Sequence, residues 1–195
     1  MSEFFVKQQL ENLENAKREN RQKIANTIVQ NPDYIRQIVK YTFVFNDKIS
    51  IKAAWILEWI CSHHNLNYIL PHLDRFTNNI NLLQFDSAIR PCAKICEHLA
   101  IAYDSKKRVG NKNYLTTKHI EKMVSTGFDW LMTPQKIAVR AYAMQTLYIF
   151  GLYEDWIHPE LKHLITNTII HESKGTKAKG NLILQLIEKH HKSTF

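Results

Sequence analysis

Trp55, Glu58 and Trp59 fall close together in "AAWILEWI" (53–60). On a helix the two tryptophans, four apart, share a face, and Glu58 lies three from Trp55. The chemistry open to such a trio is that of a carboxylate working beside aromatic rings in a groove. The plainer alternative is two core tryptophans with a carboxylate at the rim, the commoner outcome at this spacing. Glu97 in "CEHL" carries the same ambiguity.

A second group is basic. "DSKKRVGNK" (104–112) holds Lys106, Lys107, Arg108 and Lys112, with Gly110 allowing an open turn. It is the densest positive cluster in the chain. The formal net charge is +8. Residues 1–100 carry 12 Lys/Arg against 10 Asp/Glu, whereas 101–195 carry 14 against 8. The excess thus lies in the second half, where Arg140 and Lys179 also sit. A basic half can attract nucleic acid or an acidic partner, and it can equally be a solvated face.

Metal and cofactor chemistry find little support. Cys61, Cys92 and Cys96 are an odd number, against a secreted disulfide framework. Cys92 and Cys96 share a helical face, but no CxxC or HxxxH completes a metal site, and buried free cysteine is the expectation. His63-His64 is expected to close one helix and His190-His191 to follow the last one. His158 and His163 are five apart, not the i, i+4 of a helical metal pair. No GxSxG, P-loop or GxGxxG occurs, so a serine hydrolase, a phosphate cradle and a Rossmann dinucleotide site have no motif here. No metal and no cofactor are expected.

The elements that must position these residues are helices. The chain is 45% hydrophobic, with only 5 Gly and 5 Pro among 195 residues. That is sparse punctuation for a many-stranded protein. Four stretches repeat: "ISIKAAWILEWI" (49–60), "SAIRPCAKICEHL" (87–99), "IAVRAYAMQTLYIF" (137–150) and "TKAKGNLILQLI" (176–187). Each opens on a small or aliphatic residue and a base: Ile51-Lys52, Ile89-Arg90, Val139-Arg140 and Ala178-Lys179. The bases lie 38, 50 and 39 residues apart, and "DSKKRVGNKNYL" (104–115) accounts for the longer interval. A further helix precedes each: "PDYIRQIVKYTFVF" (32–45), "LNYILPHLDRFTNNI" (66–80), "LTTKHIEKMVSTGFDWLM" (115–132) and "HPELKHLITNTII" (158–170). Pro71 marks a kink or a late start in the second of these. Thr116 or Thr117 with Glu121 suggests a capping box in the third. "ENRQKIANTIVQN" (19–31) supplies a leading helix that Asn31-Pro32 ends.

Helix pairs at roughly 40-residue spacing match the period of HEAT and armadillo arrays. The chain resembles a HEAT-repeat protein over nearly all its length. The resemblance implies an all-α fold: a right-handed α-α superhelix of about four HEAT-like hairpins plus an N-terminal helix, in one domain over 1–195. In that family an acid in the turn precedes an aliphatic-base pair. Asp47 with Lys52 and Asp86 with Arg90 keep the pattern, while "TPQK" and "KGTK" lack the acid. A structural ladder of Asp47, Lys52, Asp86 and Arg90 is therefore expected, with Pro91 bending helix 87–99 or moving its start nearer Ala88. Arg140 and Lys179 are left as binding candidates beside Lys106, Lys107, Arg108 and Lys112.

The wording "AAWILEWICSHH", "PHLDRF" and "DSAIRPCAKICEHL" also resembles small bacterial proteins of the Bacteroidetes group. Some of those carry an adenylosuccinate lyase label. That superfamily's Gly- and Ser-rich signature loop is absent here. The Trp55, Glu58, Trp59 groove is similar to HEAT-like DNA alkylation repeat glycosylases, which excise bases with an Asp where this chain has Glu58. Such arrays mostly serve as binding surfaces. The expected function is a non-enzymatic module that binds a protein or peptide on its concave face, with nucleic acid as the alternative and a base-excision enzyme third. No run of ~18 apolar residues and no signal peptide are evident, so a cytoplasmic protein without a membrane span is expected.

Overall fold

The structure, a computed structural model, describes residues 2–108 and 114–194. Among these residues every regular element is helical, so the protein is all-α. The chain divides into two compact units, residues 1–98 and 99–195.

The first unit is built round α4 (Ile49–His63), with α1 (Ser2–Glu11), α2 (Arg18–Ile28), α3 (Pro32–Thr42) and α5 (Leu73–Asn79). It also takes the first part of α6 (Asp86–Arg108). α4 packs against α2 and α3, and α1 packs against α3. From Ile56 to Cys61 every residue of α4 is buried. A helix apolar all round must be enclosed on several sides, and α4 is. Asn31 caps α3 by accepting the Asp33 amide at 2.9 Å, and Pro32 sits in the first turn, where its missing N–H costs nothing. Asp47 Oδ1, one residue ahead of the N-cap Lys48, accepts the Ile49 amide at 2.9 Å at the start of α4. Pro71 behaves as its position suggests: 66–72 form a 3-10 stretch, and α5 begins only at Leu73.

α1 is the element that the polar sequence at the N-terminus conceals. Only Val6 and Leu10 of this helix are buried, and Leu13 follows just beyond it. Phe5 stacks on Tyr34 with centroids 4.9 Å apart, and Glu3 meets Lys40 at 2.7 Å. These contacts fasten α1 to α3.

Pro91 lies inside α6, which starts at Asp86 rather than near Ala88. Proline has no N–H, so the carbonyl four residues earlier, that of Ser87, loses its helical donor. The Trp55 indole Nε1 donates to that carbonyl at 3.1 Å. One side chain of α4 thus fills the gap that Pro91 makes in α6.

The second unit is centred on α8 (Ile137–Phe150), packed by α7 (Thr117–Met132), α9 (Ile157–Asn167) and α10 (Lys174–Thr194). Val139, Ala143, Met144, Leu147 and Phe150 of α8 are buried, with Leu161 and Ile165 of α9 and Ile183 and Ile187 of α10. Thr116 caps α7, but the reciprocal partner is His119, whose Nδ1 accepts the Thr116 amide, and not Glu121. His190 and His191 lie within α10 and not after it. None of the described helices is long and apolar enough to cross a membrane.

Candidate functional site

Among the described residues, two Asp, Glu, Lys or Arg side chains are buried: Glu58 on α4 and Arg140 on α8. Each central helix carries one. An isolated buried charge is costly, so the partners decide what each can do.

Glu58 is 5% exposed. Lys94 Nζ of α6 donates to its Oε1 at 2.6 Å, and Ser62 Oγ donates to the same oxygen at 2.8 Å. Arg21 Nη1 of α2 donates to Oε2 at 3.1 Å. Burial pushes this carboxyl up, but the Lys94 and Ser62 hydrogen bonds with the Lys94 and Arg21 charges outweigh it and hold it below the usual carboxylate value. Glu58 is therefore an ionised acceptor with both oxygens engaged. His98 extends the chain, its Nε2 lying 3.0 Å from Ser62 Oγ. The one hydroxyl hydrogen of Ser62 goes to the carboxylate, so His98 Nε2 donates to Ser62. Burial lowers the His98 pKa and the Lys94 charge lowers it further, outweighing the opposing Glu58 charge, which suits that neutral tautomer.

Aromatic contacts complete the cluster. The Arg21 guanidinium stands 4.5 Å from the Trp59 ring centroid, and His63 stacks on Trp59 at 3.7 Å and 7°. Trp59 is buried, and Trp55 is half-buried and committed to Ser87. An incoming base would have to displace Lys94, Ser62 or Arg21 to reach the carboxylate. Arg21, Glu58 and Lys94 form a clamp joining α2, α4 and α6, and its carboxylate is not vacant. Glu97 lies half-buried on the same helix as Lys94.

Lys94 has a sequence signature that becomes visible only afterwards. Counted from the repeated base, its place corresponds to Ile56, Met144 and Ile183, all with 0% exposure. Glu58 correspondingly occupies the place of buried Cys96 and Thr146. An ion pair thus replaces core residues across two neighbouring repeats, Glu58 in the first and Lys94 in the second.

Arg140 is the counterpart in the second unit. Its Nη1 meets Glu172 Oε1 at 2.6 Å, and its Nη2 donates to the Thr133 carbonyl at 2.8 Å. Thr133 follows α7 and Glu172 precedes α10, so this cation braces two turns. A residue so engaged is unavailable to a ligand. Lys179 Nζ donates to Gln145 Oε1 at 2.7 Å. Lys52 Nζ donates to the Glu11 carbonyl at 2.9 Å, a strut from α4 to the end of α1. Arg90, by contrast, is exposed and has no hydrogen bond or ion pair among the described residues. Asp86 is exposed at the first turn of α6, where its charge favours the helix dipole. The bracing role expected of Arg90 falls to Arg140.

The basic cluster is partly placed. Lys106 Nζ lies 3.6 Å from the centroid of the Tyr114 ring. Lys107 stands over Tyr103 and Tyr153 at 5.7 and 5.9 Å. Lys112 lies outside the described residues, as does the side chain of Arg108. Lys107 also lines a cleft of about 540 Å3 in the second unit. Leu115, Ile120, Val124 and Ile157 give the cleft apolar walls, and Glu121 and Glu154 add carboxylates. Trp156, 54% exposed, stands at it with its ring stacked against Phe128 at 5.8 Å. Sequence reasoning missed this cleft because its walls come from the end of α6, the start of α7 and the turn before α9. The signal that could have found it is an exposed Trp following two acids in "EDW" (154–156).

The three cysteines are free and buried. Burial pushes all three thiols upward. No group of three or more metal-ligating side chains converges among the described residues. The chain matches no family model, no curated protein and no solved structure.

Proposed function

We propose that this protein is a non-enzymatic helical-repeat interaction module, HEAT-like in its recurring helix pairs, that holds a segment of a partner protein in the Tyr103–Ile157 cleft of its second unit. The cleft carries the reading. It combines apolar walls, an exposed tryptophan of the type that anchors interfaces, and charges of both signs at Lys107, Glu121 and Glu154. The Glu58 clamp supports a rigid scaffold and keeps the Glu58 carboxylate from base excision. A cytoplasmic setting fits three free cysteines.

The test is affinity capture by the wild type, Trp156→Ala and Arg90→Gln, with quantitative mass spectrometry. A protein retained by the wild type and Arg90→Gln but lost with Trp156→Ala identifies the partner. Equal recovery by all three sinks the reading. Nucleic acid is the second reading, favoured by the basic balance of the second half. Fluorescence anisotropy with single- and double-stranded DNA and RNA tests it, because phosphate contacts must weaken steeply with salt.

A further inference from the structure

A separate recess of about 400 Å3 lies in the second unit between the start of α9 and the last turns of α10. Ile187 and His158, 1% and 2% exposed, form its buried side. Pro159 adds an apolar wall. Lys162 of α9 and Lys192 of α10 stand at its rim with His191 and Glu188.

The buried side is rigid. His158 Nε2 donates to the Tyr148 carbonyl at 2.8 Å, and its ring lies over Tyr148 with 11° between planes. Gly151 makes room for the ring, since a Cβ there would stand 2.1 Å from His158 Cδ2. Burial lowers the His158 pKa, the Tyr148 hydrogen bond opposes this, and nearby His190 and His191 add to the lowering. The neutral ring therefore contributes no charge.

The rim is positive and uncommitted. Neither Lys162 nor Lys192 has an ion pair among the described residues. Glu188 offsets one of the two lysines, leaving one net positive charge against an apolar interior. A dianionic phosphate meets too little charge and too much hydrocarbon there. A monoanion with an apolar body matches both parts.

We propose that this recess binds a carboxylate borne on a short apolar body, with the hydrocarbon on Ile187 and Pro159 and the carboxylate between Lys162 and Lys192. The volume suits a ligand of that size. The carboxylate could belong to a small free acid or to the C-terminal residue of a peptide. The site is distinct from the partner cleft, so the two readings stand or fall separately.

The experiment titrates the 15N-labelled full chain at pH 7 with hexanoate, hexylamine and 1-hexanol, which share a hydrocarbon and differ in head group. Two further probes are Ala-Ala-Leu with a free and with an amidated C-terminus. A carboxylate probe is expected to shift amides of α9 and α10 with Kd on the order of 1 mM. Its neutral or cationic analogue should do so at least about tenfold more weakly. Hexanoate binding alone assigns a free acid, and free-peptide binding alone assigns a C-terminus. The paired variant Lys162→Gln with Lys192→Gln should abolish either while retaining the wild-type circular dichroism. Equal binding of hexanol would reduce the site to an apolar recess and overturn the proposal. Tighter binding of hexylamine, shifts elsewhere in the chain, or no shift with any probe would also overturn it.

Discussion

Glu58 on α4 is a buried acid held by cations from two neighbouring helices, whereas Arg140 on α8 is a buried base held by an acid and a carbonyl from two turns. Their surroundings differ more than their signs do. The partners of Glu58 are themselves largely enclosed: the side chains of Arg21 and Lys94 are 20% and 28% exposed. Removing the acid strands two cations. The Glu172 partner of Arg140 is an exposed residue in the turn before α10 and can turn to water, whereas Arg21 and Lys94 are half-buried. A charge placed mid-helix commits its neighbours, and one placed at a helix start leaves them an exit.

That contrast can be broken experimentally. Glu58→Ala should produce the largest loss, about 3 kcal/mol of unfolding free energy in urea titration, because two partly buried cations lose their partner. Its pH profile has a defined sign. The folded carboxyl titrates below its reference value of 4.5. The contribution of Glu58 is therefore complete above that value and declines as pH falls through the folded pKa. Wild type and Glu58→Gln should accordingly converge in stability on acidification, and a gap that widens would refute the clamp. Arg140→Met should lose less, about 2 kcal/mol, mostly from the orphaned Thr133 carbonyl. If it matches or exceeds Glu58→Ala, the distinction between core and turn fails.

The paired variant Glu58→Cys with Lys94→Met sharpens the point. It restores residue types found at the matching repeat places, and Arg21 keeps its position over Trp59. Its stability should lie within about 1 kcal/mol of wild type. A loss equal to that of Glu58→Ala would show that the ion pair is not replaceable by packing. Trp55→Phe should cost about 1 kcal/mol through the Ser87 carbonyl. The same change should cost less with Pro91→Ala in place, since the amide at position 91 then serves that carbonyl. Additive losses would show that the indole does not fill the proline gap. The smallest effect is expected for Arg90→Gln, within about 0.5 kcal/mol. A larger drop would return Arg90 to the bracing role.

The sequence displayed the helices more readily than the contacts between them. Apolar spacing and the four repeated bases located α4, α6, α8 and α10, and Asn31-Pro32 and Pro71 marked boundaries that local backbone chemistry dictates. α1 escaped because its docking rests on a few apolar residues in a polar stretch. The clamp was only half legible. Glu58 stood out by type, but Arg21 and Lys94 reach it from 37 and 36 residues away, distances at which spacing carries no information. Arg90 and Arg140 look alike in sequence. Their fates diverge because Glu172 and the Thr133 carbonyl face one of them, and only packing determines that.

All three cysteines belong to the first unit, and all are enclosed as thiols with little tendency to ionise. A thiol reagent can reach them only when that half opens. The rate at which the chain takes up label is thus a clock for excursions that expose Cys61, Cys92 and Cys96 within residues 1–98. The protein carries its own gauge of breathing in this unit, with no engineered probe required.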